Sequence, residues 1–287
     1  MIQLTADTPC DIGEELQERY HVALTPLYIN LEGKDYTDGK DIVPQMLYDA
    51  WYQRKALPKT AAGGVEDYLA FFRQFTEQGL EVLHISLGSG ISAAYQNAVK
   101  AAEKLTGVTV FDSRNLSSGY GHLVCEAGER VKKGARVDEI ISDLTALRPC
   151  VRASFCIDTL EFLHAGGRCS TLAKIGANLL NLKPSIVVKE SMGGAMTTGK
   201  KYTGRIEKVL RKYTEDLLKD RDDIVLDRVF ITDSTMDPAV ENDIRELVLS
   251  LQPFREVHIT HASSTISCHC GPNTLGVLFL VKTPDAK

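Results

Sequence analysis

His84-Ile85-Ser86-Leu87-Gly88-Ser89-Gly90-Ile91-Ser92-Ala93-Ala94-Tyr95-Gln96-Asn97-Ala98-Val99 is the segment on which the fold turns. Its first half continues an apolar, β-leaning run that starts at Glu81 (EVLHISL), and its second half is Ala-rich with helical spacing. Between them lies Gly88-Ser89-Gly90, where the missing side chains let the backbone turn sharply and approach a ligand closely. A strand passing through a glycine loop into a helix is half of a βαβ unit. The free N–H groups at such a helix start attract an anion, and Ser92 adds a hydroxyl donor. The segment is neither a GxGxxG fingerprint nor a P-loop, because no GK[ST] follows. It is not a GxSxG nucleophile elbow either, since both glycines adjoin Ser89.

The same alternation extends to either side. Residues 2–6, 25–30 (TPLYIN), 81–87 and 108–111 (VTVF) read as strands. Residues 45–54, 66–78 and 93–105 carry apolar positions at three- and four-residue spacing, or the Ala, Lys and Glu content of a helix. The expected N-terminal unit is therefore a parallel-sheet α/β domain. Three strand ends carry short polar residues: Asp7-Thr8, Gly88-Ser89-Gly90 and Asp112-Ser113. Ligands of open parallel sheets bind beyond the carboxyl ends of the strands. The same residue types are also ordinary helix N-caps.

The style changes after Pro149. Strands are expected at 154–157, 185–189, 195–201, 228–232, 257–260 and 275–281, with Met192-Gly193-Gly194 as a hairpin turn. Helices are expected at 159–165, closed by Gly166-Gly167, at 171–180, at 205–218, and from Asp237-Pro238 to about 251. Hairpins mixed with long helices indicate a mixed α+β C-terminal domain. The boundary is placed at 152/153, giving domains 1–152 and 153–287.

Bulk properties narrow the function. The 287 residues carry a formal charge of -5, which disfavours a nucleic-acid partner. Seven cysteines in irregular spacing give no CxxC unit, so reduced thiols and a soluble, cytoplasmic protein are expected. No run approaches the roughly 20 apolar residues of a membrane span.

Three further segments carry candidate chemistry. In Ser267–Gly276 (SCHCGPNTLG), His269 stands between Cys268 and Cys270. It reads as a weak metal site, as a Cys–His pair, as a histidine offered to a carboxylate from a tight turn, or as a plain loop histidine beside buried thiols. His164-Ala165-Gly166-Gly167-Arg168 reads as a capped helix end whose Arg suits phosphate or a partner carboxylate. Thr60, in PKTAAGG, reads as a turn residue with a spare hydroxyl. A hydrolase or transferase built on Ser92 and His269 is the enzymatic alternative, and a thiol or metal protein built on Cys268, His269 and Cys270 is another.

Taken together and in order, these pieces resemble the DegV family of bacterial fatty-acid-binding proteins, which serve as the lipid-carrying subunit of fatty acid kinase. The likeness runs nearly end to end. It takes in Ala6-Asp7-Thr8-Pro9-Cys10-Asp11, Pro26-Leu27, Tyr36-Thr37-Asp38, Thr60, Ile91-Ser92-Ala93-Ala94-Tyr95-Gln96 and Asp112-Ser113. It continues through Thr159-Leu160-Glu161-Phe162-Leu163 into Gly166-Gly167-Arg168, Leu180-Asn181-Leu182-Lys183-Pro184, and His269-Cys270-Gly271-Pro272. The resemblance implies a long-chain fatty acid in a buried pocket, with its carboxylate on Thr60, Ser92 and His269 and with Ala61, Gly90 and Gly271 at the mouth. It implies no catalytic residue, metal or cofactor on this chain. A dihydroxyacetone-kinase-like partner would form the acyl phosphate, and Arg168 is tied to that partner. The chain departs from the family pattern at Ala61-Ala62-Gly63 (usually Ser-Gln-Pro), at Ala93-Ala94 (usually Gly-Thr) and at Cys270-Gly271-Pro272-Asn273 (usually Thr-Gly-Pro-Gly).

Overall fold

The computed structural model describes residues 1–168 and 182–284; the expected helix at 171–180, Cys169, and the Leu180-Asn181 part of the resemblance lie outside them. The first half begins with β1 (Ile2–Asp7), α1 (Gly13–Arg19) and β2 (Ala23–Thr25), then β3 (Tyr28–Leu31), β4 (Lys34–Thr37) and α2 (Pro44–Arg54). It continues with β5 (Lys59–Ala61), α3 (Val65–Thr76), β6 (Glu81–Ser86), α4 (Ala94–Ala102), β7 (Val108–Asp112), α5 (Ser117–Lys132) and α6 (Val137–Leu147). Its main sheet has the order β2-β1-β6-β7 and every pair is parallel, as the alternation requires.

The expected single strand at 25–30 is two strands. Pro26 interrupts the ladder, so β2 stays in the parallel sheet while β3 turns away into a small antiparallel sheet, β4-β3-β5. Thr60 is consequently a strand residue of β5, paired with Ile29, and not a turn residue.

The second half contains β8 (Val151–Arg152), β9 (Ser154–Cys156), α7 (Glu161–Gly166), β10 (Leu182–Lys189), β11 (Ala195–Thr203) and α8 (Ile206–Leu218). It ends with β12 (Ile224–Ser234), α9 (Pro238–Leu251), β13 (Glu256–His261), α10 (Ser264–Cys270) and β14 (Thr274–Val281). The mixed sheet runs β11-β10-β9-β14-β12-β13, with β8 also on β14; only β12 and β13 pair in parallel. The β10–β11 hairpin and the Asp237 cap, whose carboxylate accepts from Ala239 N at 2.8 Å, lie where the residue pattern put them. Every residue of β14 is buried, which fits a central strand of an apolar sheet.

The two sheets share one hydrophobic core. Leu4, Ile85 and Phe111 of the parallel sheet belong to the same cluster as Phe155, Ile186, Phe230 and Leu278 of the mixed sheet. No described helix is long and apolar enough to cross a membrane.

Candidate functional site

At the seam between the sheets lies a cavity of about 180 Å³. Its walls are apolar: Leu27, Leu87, Ile91, Leu116, Phe155, Leu163, Met196 and Ile266. Its polar residues are Thr60 from β5, Ser92 from the loop before α4, and Thr265 and His269 from α10. Arg168 is the sole cationic residue among its described lining residues. Segments far apart in the chain thus bring Thr60, Ser92, His269 and Arg168 to the lining of one cavity.

Each polar residue is held by its own element. Thr60 Oγ1 lies 2.9 Å from His269 Nε2. Ser92 Oγ accepts from Ala94 N at 3.2 Å, which uses an oxygen lone pair and leaves the hydroxyl proton free for a ligand. His269 is not on a turn. It belongs to α10, whose start is capped locally by Ser263, accepting from Ile266 N at 3.4 Å. A second cap comes from afar: the buried Asp38 carboxylate accepts from Ser264 N at 3.0 Å and Thr265 N at 3.3 Å. Asp11 accepts from Ser263 N at 2.9 Å and Ser117 Oγ at 2.6 Å, and burial pushes its carboxyl up to about 8. These two carboxyl groups fix the helix that carries the imidazole.

His269 is neutral near pH 7. Burial lowers its pKa to about 4, and the Arg168 guanidinium adds to the shift. Its Nδ1 has no hydrogen-bond partner among the described residues and faces the Cα of Gly166. A proton on Nδ1 would be a buried donor with no acceptor, so we place it on Nε2, where it donates to Thr60 Oγ1. The Thr60 hydroxyl then points its own proton elsewhere. The site therefore presents neutral donors, Thr60 and Ser92, with one cation at the rim. Arg168 is exposed and donates to Gly166 O at 2.8 Å, capping the end of α7.

Three expectations need correction. The Gly88-Ser89-Gly90 backbone does not approach a ligand: Gly88 N donates to Asn115 O, Ser89 N to Asp112 Oδ1, and Gly90 N to Gly193 O at 2.8 Å. The glycines serve docking instead. A Cβ on Gly90 would lie 2.4 Å from Met192 O, and one on Gly88 would lie 2.6 Å from Gly193 O. Gly90 and Gly271 do not line the cavity, although Ala61 does. Gly271, at φ 75, packs against the Phe162 ring, which also meets Tyr48, Trp51 and Tyr52 at centroid distances of 5.3–6.1 Å.

The other chemistries find little geometric support. Cys268 packs with the Phe162 cluster while Cys270 faces the main core, so the two thiols leave α10 in different directions. Burial raises both thiol pKa values, that of Cys270 to about 12, which makes them poor ligands and nucleophiles. The imidazole bonds Thr60 and not Ser92, and its lowered pKa makes it a weak general base. The residue pattern assigns none of the apolar residues to a cavity wall, although Leu27, Leu87, Ile91 and Leu163 stand within the segments quoted above.

An α/β protein whose two main sheets share a core, with an apolar cavity lined by hydroxyl and imidazole groups, is the class these features define. A model of the DegV family of uncharacterised proteins matches residues 1–282, and the chain belongs to the DegV family. A DegV domain-containing protein of Caldanaerobacter subterraneus is 29% identical over 280 residues, covering 97% of this chain and 98% of that one. A solved DegV-family structure from Thermus thermophilus, described as fatty-acid-binding, superposes with a TM-score of 0.86 at 30% identity, covering 98% of this chain and 99% of the other. A stearic-acid-binding protein from Eubacterium ventriosum gives a TM-score of 0.82 at 24% identity, with 98% and 99% coverage, and shares the fold.

Proposed function

We propose that this chain holds one long-chain fatty acid in the cavity, with its carboxylate at Thr60, Ser92 and His269, and presents that carboxylate to a kinase for acyl-phosphate formation. One observation carries the reading: Thr60, Ser92 and His269, from three distant segments, line a single apolar cavity, with Thr60 Oγ1 2.9 Å from His269 Nε2. The fatty-acid binding described for the Thermus thermophilus relative supports it.

The physical logic is simple. A sixteen-carbon tail gains roughly 12 kcal/mol from burial before the costs of association are subtracted, so the tail sets affinity and the head group sets orientation. Neutral donors hold a carboxylate without burying a full counter-charge next to hydrocarbon. We assign to Arg168 the contact with added phosphate or with the partner. The reading needs no cofactor on this chain, since nucleotide and its metal would come with a dihydroxyacetone-kinase-like subunit. We read residues 1–152 and 153–287 as its two domains and its setting as the cytoplasm.

The test is mass spectrometry of lipid extracted from the purified protein, followed by incubation with such a kinase and ATP. Acyl phosphate should form on wild type. A Ser92→Ala, His269→Ala double variant should carry much less lipid while keeping its fold, and unchanged lipid occupancy in it would refute the head-group assignment.

A further inference from the structure

Three further side chains converge at a corner of the mixed sheet. Asp233 is the penultimate residue of β12, His261 is the last residue of β13, and Glu241 lies in the first turn of α9. One oxygen or nitrogen atom from each lies within 4.8 Å of the other two. None of the three lines the cavity that holds Thr60, Ser92 and His269. We propose that Asp233, Glu241 and His261 bind one divalent transition-metal ion of the zinc class, with a coordination position left open to solvent.

The topology makes the corner. β12 and β13 are parallel neighbours with Asp233 in register with His261, and α9 is the connection between them. The Asp233 side chain is fully buried and already aimed: Oδ1 accepts from Met236 N at 2.9 Å, and Oδ2 lies 2.9 Å from His261 Nδ1. Glu241 is the observation that points to an ion. It is only 9% exposed, and its carboxyl takes no hydrogen bond from an N–H or O–H group of the described residues. What it meets is the carboxylate of Asp233. Burial and that neighbouring charge raise the Glu241 pKa. Two buried carboxylates in contact repel one another unless a proton or a cation stands between them. A divalent ion neutralises both, and the imidazole beside them favours zinc-like ions over Mg²⁺ and Ca²⁺. Tetrahedral zinc spaces its ligand atoms about 3.4 Å apart, so the Asp233–His261 contact need open by only about half an ångström. His261 has that freedom, since its side chain is 71% exposed, and water completes the shell on the exposed side.

The family resemblance implies no metal on this chain, so the site rests on these residues alone. It stands at the root of α10: Ala262 N donates to Asp233 O at 2.7 Å, and α10 opens at Ser264. An ion there fastens the corner from which the His269 helix departs. Only the folded chain presents the three ligands together, so the ion stabilises it by mass action.

The test uses the whole protein, stripped with a chelator and titrated calorimetrically with Zn²⁺ or Mg²⁺, alongside thermal unfolding. One equivalent of Zn²⁺ should bind, at least about tenfold tighter than Mg²⁺, and should raise the melting temperature. His261→Ala keeps the fold, because the side chain stands mostly in solvent, and should bind Zn²⁺ at least about tenfold weaker, as should the isosteric Glu241→Gln. Co²⁺ in place of zinc should give visible bands without thiolate charge transfer. Wild type that takes up no stoichiometric Zn²⁺ would mean that a proton or the imidazolium alone relieves the carboxylate pair, and would overturn the site. Unchanged affinity in both variants would overturn it too, as would thiolate bands, which put the ion on cysteine.

Discussion

Gly166→Ala separates the head-group geometry from the fold. Gly166 closes α7, and its φ lies outside the left-handed region, so alanine fits the backbone and favours the helix by up to about 1 kcal/mol. The added Cβ, however, would stand 2.2 Å from His269 Nδ1 and 3.0 Å from Cε1. Carbon and nitrogen atoms rest about 3.5 Å or more apart, so the ring must retreat by more than an ångström and lose Thr60. Thr60 then loses the donor that aims its own proton at the carboxylate; a hydrogen bond to a charged group contributes about 1.5–3 kcal/mol, which predicts palmitate binding roughly ten- to a hundredfold weaker. Isothermal titration with palmitate, alongside thermal unfolding by circular dichroism, reads both quantities. Gly167→Ala is the control. At φ 66 it strains the backbone, but nothing lies within 4 Å of its new Cβ, so stability should drop while affinity stays. Wild-type affinity in Gly166→Ala would refute the placement of the imidazole.

Other expected outcomes follow the same logic. His269 has a folded pKa near 4, below its unfolded value, so the folded state holds fewer protons and stability is lost as pH falls from about 6.5 through 4. The shift corresponds to about 3 kcal/mol, readable by urea unfolding at pH 7.5 and 4.5, and bound carboxylate should shrink it; a pH-independent midpoint refutes this. His122, lowered to about 3 by burial, acts in the same direction. Arg168→Ala should raise the His269 pKa in an NMR titration while lipid still binds, with kinase-dependent turnover lost; an unmoved pKa would place the guanidinium elsewhere. Gly90→Ala pushes a methyl against Met192 O and should cost about 1–3 kcal/mol in chemical denaturation, whereas unchanged stability would mean the turn is not docked there.

Much of the architecture was legible because it is local. The strands at β1, β6 and β7, the β10–β11 hairpin and the Asp237-Pro238 helix start follow from periodicity and turn chemistry. What escaped depends on distant contacts. Helix α5 carries Gly119, Gly121 and Gly128, which weaken a helical pattern, and residues 114–148 stood without assignment. Those glycines are demanded by neighbours: a Cβ would lie 2.2 Å from Asn115 Oδ1, 2.6 Å from Cys10 O and 2.5 Å from Tyr20 Cδ1, respectively. Helix α10 is rich in Ser, Thr and Cys and reads as a turn; its start is stabilised by Asp38, more than 220 residues away. For the site, the resemblance supplied Thr60, Ser92, His269 and Arg168. The apolar walls have no linear signature, since residues such as Leu116, Phe155 and Met196 become neighbours only when the sheets meet.

The Thr60–His269 contact joins residues 209 positions apart, and it sits where the ligand's acid group would dock. Chain closure over that separation is slow and entropically costly, so this junction is complete only in the finished molecule. A lipid that recognises it binds no partly folded species and raises the melting temperature by mass action. The thermal stability of this protein would then serve as a gauge of how much free fatty acid surrounds it.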